Sequence, residues 1–358
     1  MPQVKAAVIE RKEKISLQMF PRPKIEEDDL LLKVEMCGIC GSDLHIFKGD
    51  FGEPYPLIPG HEFVGTVAEL GPIAASKHGV KVGDKVAVEM ILPCWECSWC
   101  RAGLYNLCQK DREEGRQYGC NVSSTRKPYL YGGWSEYLYV PSNAIVHRIP
   151  EHVPWESAVL TEPLAVSVRA VNLTPPKLGD NVLVVGAGPI GLLTIVAAKA
   201  AGAYPVILIG SRKERLDLGE TLGADFTIDF RNEDAHSKLM EITNGKGADI
   251  VFETAGTAEA QKNSLDYACF GGTVNFIGLT GGKQVQLQTD FQMTFKELNV
   301  RSSFLSAWSY QGAINMIADG NFPVEKIITH TFPLNEVETA MAYFAERREN
   351  AIKVVLVP

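Results

Sequence analysis

The feature that most constrains this chain is an apolar run, Val182 to Val185, that opens directly onto glycines. They are spaced G-x-G-x-x-G at Gly186, Gly188 and Gly191, and an apolar helix-period segment follows. The first glycine permits a tight turn, the second lets backbone approach a pyrophosphate, and the third lets helix and strand pack closely. The helix N-terminus, at Pro189 and Ile190, presents N–H groups and the positive end of its dipole to phosphate. A glycine triplet alone is weak, but here it sits in the required strand–turn–helix setting. The same alternation continues: strand-like residues 206–209, 227–229, 250–252 and 273–277 are interleaved with helix-period residues 213–222, 233–243 and 258–268. Repeated βαβ predicts a parallel sheet with helices on both faces.

The second strand of that series ends at Gly210, Ser211 and Arg212. A site for NAD usually places an acid here to bind the ribose 2′-hydroxyl, and that acid would repel a 2′-phosphate. Gly210 clears both space and charge, Ser211 offers a hydroxyl, and Arg212 can grip a phosphate bidentately. Lys213 and Arg215 add positive charge. Solvated residues at a helix start are the plain alternative; losing the acid while gaining Ser-Arg predicts NADP in preference to NAD.

Residues 1–150 read differently. Short alternating runs (5–9, 31–35, 63–70, 85–88) are separated by Gly and Pro turns, which predicts a β-rich region. The tail from Ser303 carries two helix-period segments and a last strand at 353–357. Residues 109–133 have weak periodicity and include Cys120, leaving two readings, a surface insertion or a lid over an active site. A chain of 358 residues with 46% hydrophobic and 22% charged residues fits two domains with sizeable cores. A net charge of −8 argues against a nucleic-acid partner. Residues 182–198, the longest apolar stretch, are too short and too glycine-punctuated for a membrane span. Residues 1–10 alternate like a strand and lack an apolar signal core, so a cytoplasmic protein is expected.

Four of the eight cysteines, Cys94, Cys97, Cys100 and Cys108, fall within fifteen residues. In a long chain without a signal segment this spacing reads as a metal site, and four thiolates close a tetrahedral shell around a structural zinc. A second set is dispersed: Cys40, His61 with Glu62, and, further off, Glu162. Singly they could be a buried thiol, a satisfied histidine and exposed acids. Together, Cys40, His61 and one carboxylate would give three ligands and leave one position open. Zinc so held is a Lewis acid that lowers the pKa of a bound hydroxyl, and the alkoxide can then release hydride. Ser42 and His45 follow Cys40 closely enough to carry the alcohol proton outward.

These residues resemble the zinc-containing medium-chain alcohol dehydrogenases, especially their sorbitol and threonine dehydrogenase branch. The match runs from GICGSDLH (38–45) and PGHE (59–62), through GDKVAV (83–88) and the cysteine lobe, to TEPLAV (161–166) and VLVVGAGPIG (182–191), essentially the whole chain. The resemblance implies an α/β protein: a chaperonin-10-like (GroES-like) β-rich catalytic domain, residues 1–155 with 300–358, into which a doubly wound Rossmann domain, residues 156–299, is inserted. It implies one catalytic and one structural zinc per chain and an active site in the cleft between domains. Cys40, His61, and Glu62 or Glu162 look like the catalytic ligands, since family members let the two acids exchange places. It adds Thr254, Ala255 and Gly256, with Ile277, Gly278 and Leu279, near the nicotinamide, and a homotetramer.

The family pattern breaks after Phe304. The Arg-Tyr pair of sorbitol dehydrogenases is replaced by Leu305 and Ser306, with Trp308 beyond, and the threonine dehydrogenase Arg-Glu is also missing. The expected function is hydride transfer between NADP and a secondary alcohol, polyol or sugar hydroxyl, with Phe51, Trp308 and residues 109–133 as pocket candidates. An aldose 1-dehydrogenase or a threonine dehydrogenase-like enzyme is the alternative. From another class, a non-catalytic NADPH-binding sensor has no need of Cys40, Ser42, His45, His61 and Glu162 together, and a zinc-free quinone reductase has no need of either metal cluster.

Overall fold

The computed structural model describes residues 2–358, and the chain divides into two compact units. One holds residues up to Glu162 together with Ile328–Pro358; the other is Pro163–Ile327.

The first unit is β-rich. Strands β1 (Gln3–Arg11) and β2 (Lys14–Pro21) form an antiparallel hairpin. They are followed by β3 (Leu30–Gly38), β4 (Glu62–Leu70), β5 (Lys85–Val88), β6 (Tyr137–Val140) and β7 (Val146–Arg148). The helix Gly41–Lys48 follows β3, so the segment carrying Cys40 leaves the sheet at the carboxyl end of this interior strand. Residues 109–133 are not a surface insertion that touches nothing: Tyr118, Val122, Leu130 and Tyr131 lie in this unit's core, while residues 112–114 and 125–127 are exposed. Tyr118 and Leu130 are fully buried, the Tyr118 hydroxyl donates to the Tyr139 carbonyl at 2.9 Å, and Tyr118 N–H donates to Met90 O at 2.8 Å. Their weak periodicity in sequence reflects packing by irregular backbone bonds rather than by a repeating face.

The second unit carries β8 (Val182–Val185), β9 (Val206–Gly210), β10 (Phe226–Asp229), β11 (Ala248–Glu253), β12 (Ala268–Phe276) and β13 (Asn299–Ser302). They form one parallel sheet in the order β10-β9-β8-β11-β12-β13. The order reverses beside β8, and the crevice at the carboxyl ends of β8 and β11 is where such sheets bind ligands. All four residues of β8 are buried, as a strand covered on both faces requires.

The chain then returns to the first unit with β14 (Ile328–Pro333) and β15 (Lys353–Val357), which extend that sheet to the order β14-β15-β3-β4-β5-β7. The boundary therefore differs from the expected 156–299. β13 is hydrogen-bonded to β12, and the helix Tyr310–Asp319 also lies in the second unit, so that unit runs on to Ile327. The apolar residues 182–198 are β8, a turn and most of the helix Pro189–Ala200. No helix among the described residues is long and apolar enough to cross a membrane.

Candidate active site and metal centres

The glycine turn has three different jobs. Gly186 has φ +109°, and a Cβ there would sit 2.9 Å from the Ala255 nitrogen. A Cβ on Gly191 would lie 1.8 Å from Gly186 O, so helix and strand can meet only through glycine. A Cβ on Gly188 would meet nothing within 4 Å, so this glycine faces open space, where a side chain would only hinder the approach of a phosphate. Pro189 at the first turn and Gly188 as the cap start the helix without a side-chain cap, leaving its leading N–H groups available. Thr254 ties the neighbouring loop to this turn by donating its hydroxyl to Val185 O at 2.9 Å and Gly186 O at 3.1 Å.

Gly210 ends β9, where a Cβ would meet Leu216 Cδ2 at 2.8 Å and Ala187 Cβ at 2.9 Å. A carboxylate side chain is thus crowded here as well as absent. Ser211 and Arg212 follow at half-buried positions, and Arg212 is the cap of the helix Lys213–Thr221. Arg215 reaches back to Ala187 O at 3.4 Å, whereas Lys213 turns to Asp217 at 2.7 Å.

The four clustered cysteines converge. Their sulfurs lie within 4.8 Å of one another, with Cys100 and Cys108 buried. Backbone N–H groups point at the sulfurs, with Cys97 N to Cys94 Sγ at 3.3 Å and Cys100 N to Cys97 Sγ at 3.5 Å. The Cys100 and Gln109 N–H groups draw the Cys97 thiol down to about 6. Burial pushes the Cys100 and Cys108 thiols up instead, so it is the convergence of the four sulfurs that suits tetrahedral zinc with no open position. At the base of this lobe Tyr105 donates to buried Glu89 at 2.8 Å, and Glu89 also meets His147 Nε2 at 2.9 Å.

Cys40, His61 and Glu62 form the second group, with one donor atom from each within 4.8 Å. Sheet register brings them together: Gly38 on β3 lies opposite Glu62 on β4, and Gly38 also lies opposite Val355 on β15. Thiolate, imidazole and carboxylate are a donor set for zinc that leaves a coordination position over. Four further residues that sequence reasoning did not assign shape this site. Asp43 is fully buried, accepts from Cys40 N at 2.8 Å and lies 3.6 Å from His61 Nδ1. It therefore orients two donors at once and directs His61 Nε2 away from itself. Its position three residues after Cys40 is that of a capping box, the one sequence signal that pointed to it. Cys120 brings its Sγ within 3.6 Å of the same His61 nitrogen. Burial opposes charge on His61, yet Cys120 and Asp43 together push its pKa well up.

Lys353 is the third. Only 2% exposed, it donates to Glu62 Oε1 at 2.7 Å and Oε2 at 2.5 Å, and to Ile39 O at 3.2 Å. Glu162 is not in the three-donor group. It is buried, and burial first, then the Glu62 and Asp43 charges, raise its carboxyl to about 7 against the pull of His61 and Lys353. Asp50 is the fourth. Ser42 Oγ lies 3.3 Å from His61 Nε2, while His45 Nδ1 meets Asp50 Oδ2 at 2.8 Å and its ring packs 4.8 Å from that of Phe51. No direct hydrogen bond joins Ser42 to His45 among the described residues. Trp308 belongs to the second unit and is 66% exposed.

Comparison with known proteins agrees with this geometry. The profile of the alcohol dehydrogenase GroES-like domain matches residues 26–151, and that of the zinc-binding dehydrogenases matches residues 189–319. An erythritol/L-threitol dehydrogenase of Mycolicibacterium smegmatis is 36% identical over 94% of this chain and 92% of its own. A sorbitol dehydrogenase of Bacillus subtilis is 32% identical over 100% of this chain and 98% of its own. A zinc-binding dehydrogenase of Sinorhizobium meliloti, solved bound to NADP, superimposes with a TM-score of 0.89 at 32% identity, covering 100% of both chains. The chain belongs to the zinc-type medium-chain alcohol dehydrogenases, with a GroES-like domain and a Rossmann-type dinucleotide domain, and it is an oxidoreductase of that class.

Proposed function

We propose that this enzyme transfers a hydride between NADP, in preference to NAD, and a secondary alcohol, polyol or sugar hydroxyl. The observation that carries the cofactor preference is the end of β9: Gly210 in place of an acid, followed by Ser211 and Arg212. The relatives named as polyol dehydrogenases support the substrate class. When bound, zinc supplies a Lewis acid for the substrate oxygen and the dinucleotide supplies the hydride acceptor.

Cys40 and His61 hold the catalytic metal together with a carboxylate. Glu62 is the acid with an oxygen within 4.8 Å of both their donor atoms, and Glu162 is its buried alternative. Cys94, Cys97, Cys100 and Cys108 hold the structural zinc. Ser42 Oγ, beside His61 Nε2, accepts the substrate's hydroxyl proton. His45 takes it onward across one intervening hydroxyl or water. Asp50, on His45 Nδ1, holds that ring as the tautomer whose Nε2 is the acceptor. Gly186, Gly188, Pro189, Ile190 and Gly191 seat the pyrophosphate, Arg212 and Arg215 the 2′-phosphate, and residues 254–256 and 277–279 the nicotinamide.

The test is nicotinamide absorbance change with zinc-loaded enzyme across alcohols, polyols and aldoses, with NAD+ and NADP+ in parallel. Turnover favouring NADP+ is expected, and no turnover with either across the panel sinks the reading. Arg212→Glu is expected to weaken NADP+ binding by about ten- to a hundredfold, roughly 1.5–3 kcal/mol, while changing NAD+ binding far less. Equal losses for both cofactors discard the 2′-phosphate assignment.

A further inference from the structure

Glu253 is the last residue of β11, paired in register with Val185 on β8 and Phe276 on β12. It is completely buried. Its Oε1 accepts two backbone N–H groups, from Ala255 at 2.7 Å and Gly256 at 2.8 Å. Its own carbonyl accepts two more, from Ile277 at 2.9 Å and Gly278 at 3.0 Å. One residue therefore holds two loops, 254–256 by its side chain and 277–279 by its backbone. The loops touch backbone to backbone: a Cβ on Gly278 would lie 2.3 Å from Gly256 N, and one on Gly256 would lie 2.6 Å from Leu279 O. Gln261 adds a bond from the neighbouring helix, its amide donating to Gly278 O at 3.1 Å.

Stability alone does not call for a carboxylate here. Oε2 is buried without a hydrogen-bond partner, 2.9 Å from where a Cβ on Gly278 would stand. Burial pushes this carboxyl up, the Gly256 and Ala255 N–H groups and then the Gln261 amide pull it down, and no cation acts on it. A buried acid with one orphan oxygen opposes folding. What it supplies is strength and direction: a charged acceptor on two N–H groups makes shorter, stiffer bonds than a neutral one.

We propose that Glu253 is a positioning residue for the nicotinamide half of the dinucleotide, locking loops 254–256 and 277–279 to one another so that the backbone facing the ring stays at fixed height. The proposal rests on the reading of those two loops as the nicotinamide site. It predicts that loosening Glu253 harms only that half of the cofactor.

The experiment compares full-length Glu253→Ala and Glu253→Gln with the wild type. Binding of NADP+ and of 2′-phospho-ADP-ribose, which lacks the nicotinamide, is measured by calorimetry, together with kcat and KM for the best substrate. In the alanine variant NADP+ affinity is expected to fall about tenfold and kcat to fall as well, with 2′-phospho-ADP-ribose affinity held within about twofold. The glutamine variant keeps an acceptor at Oε1 and is expected to recover most of both losses. If the alanine variant does not fold, Glu253→Asp carries the same comparison, its carboxylate drawn back one methylene from both N–H groups. Equal weakening of both ligands, or of neither, overturns the proposal. A wild-type enzyme that binds 2′-phospho-ADP-ribose as tightly as NADP+ shows instead that the loops do not meet the ring, which removes the underlying reading whatever Glu253 does.

Discussion

Lys353 and Glu62 are each almost wholly buried, and both carboxylate oxygens face one ammonium group. Neither charge is stable there without the other, because the interior does not replace the water each has lost. Lys353→Met is therefore expected to destabilise the protein by about 3–5 kcal/mol in denaturant unfolding, through the stranded Glu62. Adding Glu62→Gln to it should restore part of that loss. Losses that simply add would show that the two side chains act independently. The pair also bears on the metal. Both Glu62 oxygens are engaged by Lys353, so as a ligand Glu62 must share an oxygen with it, whereas Glu162 feels the His61 and Lys353 charges but makes no ion pair within 4 Å among the described residues. A Cβ on Gly38 would fall 2.0 Å from Glu62 Oε2, so glycine at that position is what lets the carboxylate lie across the strand end.

At the scale of elements, the cysteine lobe is the part least able to hold itself. Between Cys94 and Cys108 the chain makes only the four-residue helix Ser98–Arg101 and a three-residue turn, Tyr105–Leu107. Trp95 and Trp99 on it are 41% and 46% exposed. With little apolar burial besides Tyr105, the lobe would depend for its order on a metal held by the four cysteines. Cys97→Ser is expected to make residues 94–108 sensitive to limited proteolysis while the dinucleotide unit retains NADP+ binding. A lobe as resistant as in the wild type would contradict the structural-zinc assignment. The Tyr105–Glu89–His147 contacts at its base anchor it to the sheet, so cleavage should map to the exposed side.

For the whole molecule, the buried acid at 162 sets a pH slope. In the metal-free protein the native state keeps a proton on Glu162 up to about pH 7, whereas the reference glutamate loses it near 4.5. Between those values the native state binds more protons than the unfolded state, so this group's contribution falls as pH rises and levels off above the folded pKa. Its full size is on the order of 3 kcal/mol. Metal-free Glu162→Gln is expected to show a shallower fall of Tm from about pH 5 to pH 7.5 than the metal-free wild type. Parallel curves would mean that Glu162 is not the group responsible.

The sequence by itself determined what is encoded over short distances. The βαβ alternation, the glycine turn at 186–191, the Gly210 strand end and the cysteine spacing all have residue periods or separations that local geometry alone reads out. Tertiary structure decided the rest. Lys353 meets Glu62 across 291 residues of sequence. Cys120 reaches His61 across 59 residues, and β13 joins the parallel sheet by pairing with β12 rather than leaving with the tail. No period in the chain marks such meetings, because they follow from strand register and packing, and register is fixed only when every strand of the sheet has found its neighbour.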